Sequence, residues 1–429
     1  MRIRRCAAGL TQEELAERSG LSVRTIRNIE RGRTVTPTRT SVRLIAAALS
    51  GPSTEPIAWE TPAEIPAPES AFRAGTAWAV NLLAGAAGPA QLPPGPGDLC
   101  GRAREVGRLT DRLVRAHIGA GSGAGPAATV VVVGMAGVGK SAVALTTADR
   151  VRTAFPDGQL YVNLRGTAAP APPPEVLSRI LRDLGTPVGE VPSDADERAG
   201  RYQSLLTGRR VLLVLDDARD AGQVRPLIPN SPGCGVIVTS RYQLADVEGC
   251  RPLTLGPLPA AAARELLATI VGPDRLAREP VATELLLNAC GGIPLALKIV
   301  ALRLSSRPAW SVQRLAHRLA CPDRRIAELS IGELGVAAAL RQSYDNLLAF
   351  DDGGAARAAF GVLGRIGPVR FSADTAAVLT GHTREHMERI LELLVDTHLI
   401  EAPAPDQYQF HELVSLFAKQ LGAAQRPAS

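Results

Sequence analysis

The segment from Gly134 to Ser141 has the residue types of a phosphate-binding site. It reads Gly-Met-Ala-Gly-Val-Gly-Lys-Ser. A glycine, four residues and then Gly-Lys-Ser is the spacing of a phosphate-binding loop. Glycines let backbone N–H groups approach a phosphate, and the helix that follows points its positive end at the same anion. Lys140 would contact the terminal phosphates, and the Ser141 hydroxyl would join the ligands of Mg²⁺. Six nucleotide-binding residues are predicted here: Gly134, Gly137, Gly139, Lys140, Ser141 and Ala142.

The surroundings of this loop favour a ligand over a glycine-rich turn that binds nothing. The apolar run Val130–Val133 predicts a buried strand before the loop, and Ala142–Leu145 predicts a helix after it. This strand-loop-helix context is the one that supports a phosphate-binding motif. The chain has three lysines in all, and one of them is Lys140, where the planar fork of an arginine would not replace it.

Two further apolar strands end in polar side chains. Val211–Leu215 runs into Asp216 and Asp217, and a second strand from Gly235 ends at Arg241. Because ligands lie at the carboxyl ends of parallel strands, these side chains are expected to meet around one phosphate tail. Asp216 is predicted to hold Mg²⁺ directly or through water. Asp217 and Arg241 are the predicted catalytic residues, the first orienting or deprotonating a water and the second sensing or stabilising the γ-phosphate.

The elements that must position these residues form an α/β pattern. Apolar strands alternate with helices from residue 99 onward, which predicts a parallel sheet covered on both faces. We assign this P-loop nucleotide-binding domain to residues 99–255. Amphipathic helices and a further helix that opens at Pro294 predict a helical domain over 256–320. Helices followed by a short hairpin predict a winged-helix domain over 321–429.

The N-terminal residues 1–50 predict a small all-α domain. Thr11 and Glu14 form the capping-box pattern of one helix, Gly20 ends it, and Ser22 caps the next. Two short helices joined by a tight glycine turn are the geometry of a helix-turn-helix. The outward residues of the second helix can reach phosphates and base edges in a major groove. These are Ser22, Arg24, Thr25, Arg27 and Asn28.

The charge distribution separates this small domain from the rest of the chain. Residues 1–50 contain ten arginines and four glutamates, which accounts for the whole net charge of +6. A basic module on a neutral body indicates nucleic-acid binding, here double-stranded DNA. A small helical module that binds protein is the alternative.

Residues 51–98 are rich in Pro, Ala and Gly and predict a semi-flexible linker. The six cysteines are scattered without a Cys-x-x-Cys pair, which favours reduced thiols in a cytoplasmic protein over a disulfide or zinc framework. No apolar run is long enough to span a membrane, so no membrane partner is expected.

The N-terminal segment resembles the phage-repressor (Xre/Cro-type) helix-turn-helix family. The resemblance rests on Gly9–Ala16 and Leu21–Gly32. It implies that Gln12 contacts backbone phosphate and that Arg24, Thr25 and Asn28 contact bases.

The larger part of the chain resembles the NB-ARC group of STAND-class P-loop NTPases, and with its N-terminal domain it resembles actinobacterial transcriptional regulators. The match covers about residues 98–422 and rests on an ordered set of segments: Leu99–Arg102, Gly134–Ser141, Leu212–Asp217, Thr239–Arg241, Gly292–Leu295, Leu340–Leu347 and Phe410–Leu413.

This second resemblance implies a nucleotide switch with ADP or ATP and Mg²⁺ as cofactors. In such proteins ADP lies between the nucleotide, helical and winged-helix domains and keeps them closed, ATP opens them, and slow hydrolysis resets them. Gly101, Arg102 and Pro294 would then lie by the adenine and sugar. His411 would contact the β-phosphate and hold the winged helix. The resemblance also implies a signal or a sensor protein as a further partner.

Three hypotheses of function follow from the sequence. The first is a DNA-binding transcriptional regulator switched by ADP and ATP. The second is a working ATPase, such as an assembly motor, whose N-terminal helices bind protein. The third is a signalling or defence scaffold that forms a homo-oligomer with ATP. Whether the chain turns over as an enzyme is left open, and a slow regulatory ATPase is the form that the resemblance implies.

Overall fold

The computed structural model describes residues 10–23, 25–26, 48, 88–97, 99–119, 125–350 and 352–424. The chain divides by its internal contacts into two compact units, residues 1–87 and 88–429.

The described part of the first unit contains helix α1, Gln12–Ser19. Thr11 and Glu14 form the predicted capping box, and Gly20 ends the helix in the left-handed conformation. Ser22 accepts the backbone N–H of Thr25 at 3.1 Å, as expected of a residue that caps the next helix. The apolar side of this unit contains Leu10, Leu15, Ala16, Ile26 and Ala48.

The second unit is built on a parallel sheet of five strands in the order β2-β3-β4-β1-β5. Every strand pair in this sheet is parallel, as predicted. The strands are β1 Ala128–Val133, β2 Gly158–Asn163, β3 Val211–Ala218, β4 Gly235–Ser240 and β5 Leu253–Thr254.

Helices cover both faces of the sheet, because successive side chains of each strand point to opposite faces. One core contains Val130 and Val132, and the other contains Val131 and Val133. The first face packs against α2 and α3, and the second packs against α4, α5 and α6. These helices are α2 Ala103–Gly119, α3 Lys140–Val151, α4 Pro173–Asp183, α5 Ala195–Leu206 and α6 Ala221–Val224.

Residues 88–97 pack on this sheet although the sequence predicts them as the end of the linker. Ala90 forms a parallel bridge with Gln159 at the edge strand β2. Gln91 donates its N–H to the Gln159 carbonyl at 2.9 Å, and the Gln159 N–H donates to Pro89 at 2.5 Å. A proline-rich segment is extended, and a sheet edge is where prolines are tolerated. Residues 51–98 therefore have the composition of a linker, although residues 88–97 pair with the edge of the sheet.

A group of helices follows the sheet, and the first five lie within residues 256–320, where the sequence predicts a helical domain. These are α7 Ala260–Val271, α8 Pro273–Ala277, α9 Pro280–Cys290, α10 Pro294–Ser305, α11 Val312–Ala320 and α12 Pro322–Glu328. A two-residue hairpin, β6 Ser330–Ile331 with β7 Leu334–Gly335, separates them from the last part of the chain.

The last part contains the helices and the hairpin that the sequence predicts, and its assignment as a winged helix stays a prediction. Its elements are α13 Val336–Asp345, α14 Gly353–Leu363, α15 Ala373–Thr380, α16 Arg384–Asp396, β8 Glu401–Ala404, β9 Gln407–Gln409 and α17 Glu412–Ala424. One apolar core is continuous from the β1 face of the sheet through these helices to Leu421. Within the described residues, no helix combines the length and apolarity needed to cross a membrane.

Candidate nucleotide-binding site

The phosphate-binding loop connects β1 to α3, as predicted. Gly134 has φ of +145° and Gly137 has φ of +79°, conformations that side chains rarely adopt. A Cβ on Gly134 would lie 2.6 Å from the Leu255 carbonyl oxygen, and one on Gly137 would lie 2.9 Å from Leu295 Cβ. The glycines are therefore required by close packing as well as by the turn.

Lys140 is the first residue of α3, and its ammonium group folds back over the loop. Its Nζ donates to the carbonyls of Gly134 at 2.8 Å and Met135 at 2.9 Å. Burial lowers the pKa of Lys140 to about 7, and Arg241 lowers it further, while Asp217 and Asp216 oppose the shift. A phosphate beside this ammonium group would favour its charged form, so the site is suited to an anion.

Asp216 accepts hydrogen bonds from three hydroxyl groups. Its Oδ1 accepts from Ser141 at 2.7 Å and from Thr239 at 2.6 Å. Its Oδ2 accepts from the Tyr161 hydroxyl at 2.8 Å. Burial and the neighbouring Asp216 raise the pKa of Tyr161 above its usual range, so the phenol stays a donor. The carboxylate is therefore fixed in one orientation beside the loop.

Asp217, the next residue, has a different environment. It is a non-glycine residue with φ of +57°, at an irregularity in the pairing of β3 with β4. Its Oδ2 accepts from the Thr167 N–H at 3.1 Å and hydroxyl at 2.7 Å. Its own N–H donates to the Thr239 hydroxyl at 2.9 Å. A left-handed residue of this type at a strand end is a conformation that concentrates at functional sites.

Arg241 connects the end of β4 to helix α13. One terminal nitrogen donates to the Ala339 carbonyl at 2.7 Å, and the other donates to Gln342 Oε1 at 2.9 Å. Its Nε lies 3.7 Å from Asp217 Oδ1. The guanidinium group therefore joins residues about 100 positions apart in the chain.

These side chains surround one cavity of about 630 Å³. That volume lies within the range of small-molecule and cofactor sites, ~300–1,000 Å³. Ten of the residues predicted from sequence line it: Arg102, Gly137, Gly139, Lys140, Ser141, Ala142, Asp216, Asp217, Arg241 and Pro294. The lining also includes the apolar residues Leu99, Cys100, Leu258, Leu266 and Leu295, together with Lys298. The cavity thus combines polar groups that suit phosphates with apolar groups that suit a base.

Gly101 does not line the cavity, whereas Arg102 lines it and is also held by hydrogen bonds to the protein. A Cβ on Gly101 would lie 2.2 Å from Ala262 Cβ, so the glycine permits close packing against α7. Arg102 is buried, and its guanidinium donates to the carbonyls of Val138 at 3.4 Å and Gly256 at 2.5 Å. It also pairs with Glu105 at 3.1 Å. The arginine, at the wall of the cavity, thus connects the loop to Gly256.

His411 does not line this cavity, although the resemblance implies that it contacts the β-phosphate. Its Nε2–H donates to the Gly291 carbonyl at 2.9 Å, and its Nδ1 accepts the Leu413 N–H at 3.2 Å. Both ring nitrogens are therefore occupied, and the ring touches the turn that precedes Pro294. His411 lies instead in an adjoining cavity of about 300 Å³ that Met135 of the phosphate loop also lines. Its predicted role toward the nucleotide stays a prediction.

His398 lines the same adjoining cavity and has no counterpart in the sequence prediction. It has φ of +50°, and its buried Nε2 has no hydrogen-bond partner within the described part of the chain. Burial, with a contribution from Lys140, lowers the pKa of His398 to about 4. The imidazole is therefore neutral at pH 7.

Sequence reasoning also missed Tyr161, Thr167 and Gln342. Tyr161 could have been found once β2 is placed beside β3, because Asn163 and Asp216 are register partners and the tyrosine lies two residues before that pair on the same face. Gln342 belongs to a segment that the resemblance includes, but nothing in the sequence indicates that it reaches the end of β4.

The donor set beside the loop fits Mg²⁺. Ser141 and Asp216 provide hydroxyl and carboxylate oxygens, and Mg²⁺ is typically held by one or two carboxylates together with substrate phosphates. Among the residues that the structure describes, no group of three or more His, Cys, Asp or Glu is placed to hold a metal ion without such phosphates.

The predicted DNA-contacting residues are described only in part. Gln12 is the first residue of α1, Ser22 is exposed, and Thr25 is half-buried. The Ser22 and Thr25 hydroxyls lie 2.9 Å apart. Arg24, Arg27 and Asn28 lie outside the described residues.

Comparison with known families identifies two domains. The helix-turn-helix model HTH_3 matches residues 1–55, and the NB-ARC domain model matches residues 103–276.

Two curated relatives cover the larger part of the chain. The regulatory protein AfsR of Streptomyces coelicolor is 43% identical over 332 residues, which is 77% of this chain and 33% of the relative. The protein of the same name from Streptomyces griseus is 42% identical over 332 residues, with the same shares. The chain thus spans about a third of the length of these relatives.

A solved structure of a signal transduction ATPase with numerous domains from Pyrococcus horikoshii, which has a tetratricopeptide repeat sensor, superposes with a TM-score of 0.36 and 16% identity. The superposition covers 77% of this chain and 44% of that chain.

Proposed function

We propose that this chain, which matches a helix-turn-helix model and an NB-ARC domain model, is a transcriptional regulator whose DNA binding is controlled by an adenine nucleotide. The two relatives named as regulatory proteins support the regulatory part of this proposal. Its action on double-stranded DNA is expected to take place in the cytoplasm.

The observation that carries the proposal is that three distant parts of the chain line one cavity. The phosphate loop and the ends of β3 and β4 form one side, Pro294 and Lys298 of α10 form a second, and Gln342 of α13 forms a third. A ligand that touches all three favours the arrangement in which they are close together. Such a ligand shifts the equilibrium by the difference in its affinity for the closed and open arrangements.

The residues divide the binding of the nucleotide between them. The loop N–H groups and Lys140 would bind the phosphates, and the apolar lining residues with Pro294 would bind the base. Ser141 and Asp216 would hold Mg²⁺, which supplies positive charge that neutralises the terminal phosphates when it is bound. Asp217 is then the residue that orients the attacking water for slow hydrolysis.

Arg241 explains how ATP and ADP could have different effects. Its guanidinium donates to Ala339 and Gln342 of α13 while it lies near Asp217. A γ-phosphate in the cavity would compete for the same donors, because a charged oxygen is a stronger acceptor than a carbonyl or an amide. ATP would thereby weaken the attachment of α13, and ADP would leave it in place. A coupling of ~1–3 kcal/mol is typical of such regulation.

The proposal is tested by selecting DNA sites from a random library with the purified protein and then footprinting them with ADP, with ATP and without nucleotide. We expect a protected site whose occupancy differs between ADP and ATP. A protein that protects no site in any state would contradict DNA binding. Equal occupancy with both nucleotides, despite tight binding of each, would contradict the switch and leave DNA binding intact.

A further inference from the structure

A positively charged surface lies on the helical part of the second unit, far from the predicted DNA-binding helix in sequence. Residues 303–325 contain six arginines and one aspartate, in a chain whose residues 51–429 have no net charge. We call Arg307, Trp310, Arg314 and Arg318 the Trp310 patch. We infer that the Trp310 patch is a second contact surface for the phosphate backbone of double-stranded DNA, an inference that rests on the proposed function.

Three guanidinium groups of the patch converge on one indole ring. The guanidinium carbons of Arg307, Arg314 and Arg318 lie 4.9, 5.0 and 5.5 Å from the centroid of Trp310. All three arginines are exposed, and the indole is half-buried. Stacking occupies the face of a guanidinium and not the N–H groups at its edge. One terminal nitrogen of Arg307 donates to Ser306 at 3.2 Å and one of Arg318 donates to Glu328 at 2.7 Å, and phosphate oxygens would accept from the remaining N–H groups.

The patch carries more positive charge than its neighbours neutralise. Arg318 pairs with Glu328 at 2.7 Å, and Glu328 also pairs with Arg303 at 2.8 Å. Arg307 and Arg314 have no ion pair in the part of the chain that the structure describes. Arg314 and Arg318 are also four residues apart on α11, a spacing at which like charges repel each other. An anionic partner would remove that repulsion.

The backbone beneath the patch is held in place. Half-buried Arg275 donates to the carbonyls of Leu304 at 2.8 Å, Arg307 at 3.0 Å and Trp310 at 2.7 Å. Ser311 then caps α11 by accepting the Arg314 N–H at 3.1 Å. The patch is therefore preorganised, which reduces the entropy lost when it binds a rigid partner.

Duplex DNA fits this surface better than an acidic polypeptide does. Paired arginine forks match phosphate groups, which recur at regular spacing along a duplex. Phosphate contacts position a protein on DNA without reading its sequence. The patch would thus add to the DNA affinity of a single helix-turn-helix. The added affinity would be the same for every DNA sequence.

The test measures the affinity of the full-length protein for duplex DNA as a function of salt concentration. The logarithm of the association constant falls as the logarithm of the salt concentration rises, and Arg307→Gln with Arg314→Gln should make this slope less steep by about 2. Binding should weaken equally on specific and random duplexes. Arg307→Lys with Arg314→Lys should largely restore the slope. The matched control is Arg104→Gln with Arg108→Gln, which removes two exposed arginines from α2 and should leave the slope unchanged.

An unchanged slope in the Arg307→Gln and Arg314→Gln variant would overturn the inference, provided that the wild-type protein binds its selected site. If this variant no longer binds poly-glutamate but binds DNA as the wild-type protein does, the inference is overturned and the patch binds an acidic protein. Failure of the wild-type protein to bind any duplex would instead contradict the proposed function.

Discussion

The two sides of the nucleotide cavity are held in different ways. On the sheet side, Asp216 accepts three hydroxyl groups and Lys140 donates to two carbonyls, all from residues of the α/β domain. On the helical side, the end of the sheet reaches α13 through Arg241, and α17 reaches the turn before Pro294 through His411.

This difference suggests how a nucleotide can bind tightly to the sheet side and also change the arrangement of the helical side. The sheet side is a continuous network within one domain, so it would stay formed while nucleotides exchange. The helical side shares an apolar core with the sheet. Its polar contacts through Arg241 and His411 join segments far apart in the chain, and a phosphate oxygen or water could replace each of them. Regulatory motions generally use contacts that have two alternative arrangements.

Lys140→Met should have the largest effect and should act on binding alone. The loss of a charged donor to the phosphates is expected to weaken ADP and ATP about 100-fold, since two charge-assisted bonds are worth ~1.5 kcal/mol each. The melting temperature of the nucleotide-free protein should change little, because burial of the ammonium group, which lowers the pKa of Lys140 to about 7, offsets its hydrogen bonds to the Gly134 and Met135 carbonyls.

Calorimetric titration and thermal unfolding measure both quantities. Lys419→Met is the matched control, because Lys419 is an exposed lysine that pairs with Asp323. Unchanged nucleotide affinity in Lys140→Met would contradict the site assignment.

His398→Asn should make the protein less sensitive to acid. Folded His398 has a pKa of about 4, against an ordinary value of 6.5, so the unfolded chain binds the proton first as the pH falls. The free energy of unfolding should therefore decrease between pH 6.5 and pH 4, by about 3 kcal/mol from this residue alone. Asparagine tolerates the left-handed backbone and removes the titration.

Urea unfolding across that pH range measures the effect. His317→Asn, at an exposed histidine, is the matched control for the loss of an imidazole. An equally steep decrease in His398→Asn would show that His398 does not resist protonation in the folded state.

Arg241→Gln should loosen the helical side without affecting the sheet side. Removing the donors to Ala339 and Gln342 is expected to raise amide hydrogen exchange in α13 about 10-fold, corresponding to ~1.4 kcal/mol. Exchange in β1 and β3 should not change. Arg225→Gln, which breaks an exposed pair with Asp246, is the control of equal charge. If α13 is as protected from amide exchange in Arg241→Gln as in the wild-type protein, Arg241 does not hold α13 against the sheet.

Tyr161→Phe should reduce the dependence of nucleotide binding on Mg²⁺. Without its third hydroxyl donor, Asp216 loses orientation, and the Mg²⁺ concentration for half-maximal ATP binding should rise about 5-fold, for ~1 kcal/mol. ADP affinity in chelator should stay the same. Tyr202→Phe is the matched control, since it removes a hydroxyl that donates to the Leu227 carbonyl at 2.6 Å in the same domain. If both variants behave alike, Tyr161 does not position Asp216.

His411→Ala should have the smallest effect, a rise of about 3-fold in the ADP dissociation rate, the size of a single neutral hydrogen bond of ~0.7 kcal/mol. The effect is small because the ring contacts Gly291 and not the cavity. His382→Ala serves as the control in the same stopped-flow measurement. An unaltered rate would show that His411 contributes nothing to nucleotide retention.

The sequence predicts the sheet side of the site well because its signals are local. The glycine spacing, the strands and the carboxylates at their ends occur within short segments whose geometry follows from parallel strand pairing. The helical side depends on pairings of distant residues, such as Arg241 with Ala339 and His411 with Gly291, which no local pattern reveals. The role of Tyr161 can be predicted only when the order of the strands is known. The pairing of residues 88–97 with the sheet edge is not predicted because their composition is typical of linkers.

The most direct test of the central claim is a thermodynamic cycle. The affinity of the protein for its selected DNA site is measured with ADP and with a non-hydrolysable ATP analogue, and the affinity for each nucleotide is measured with and without that DNA. We expect the two ratios to agree, at about 5-fold or more, because coupling between sites is reciprocal. Ratios of one in both directions, with both ligands bound, would contradict control of DNA binding by the nucleotide.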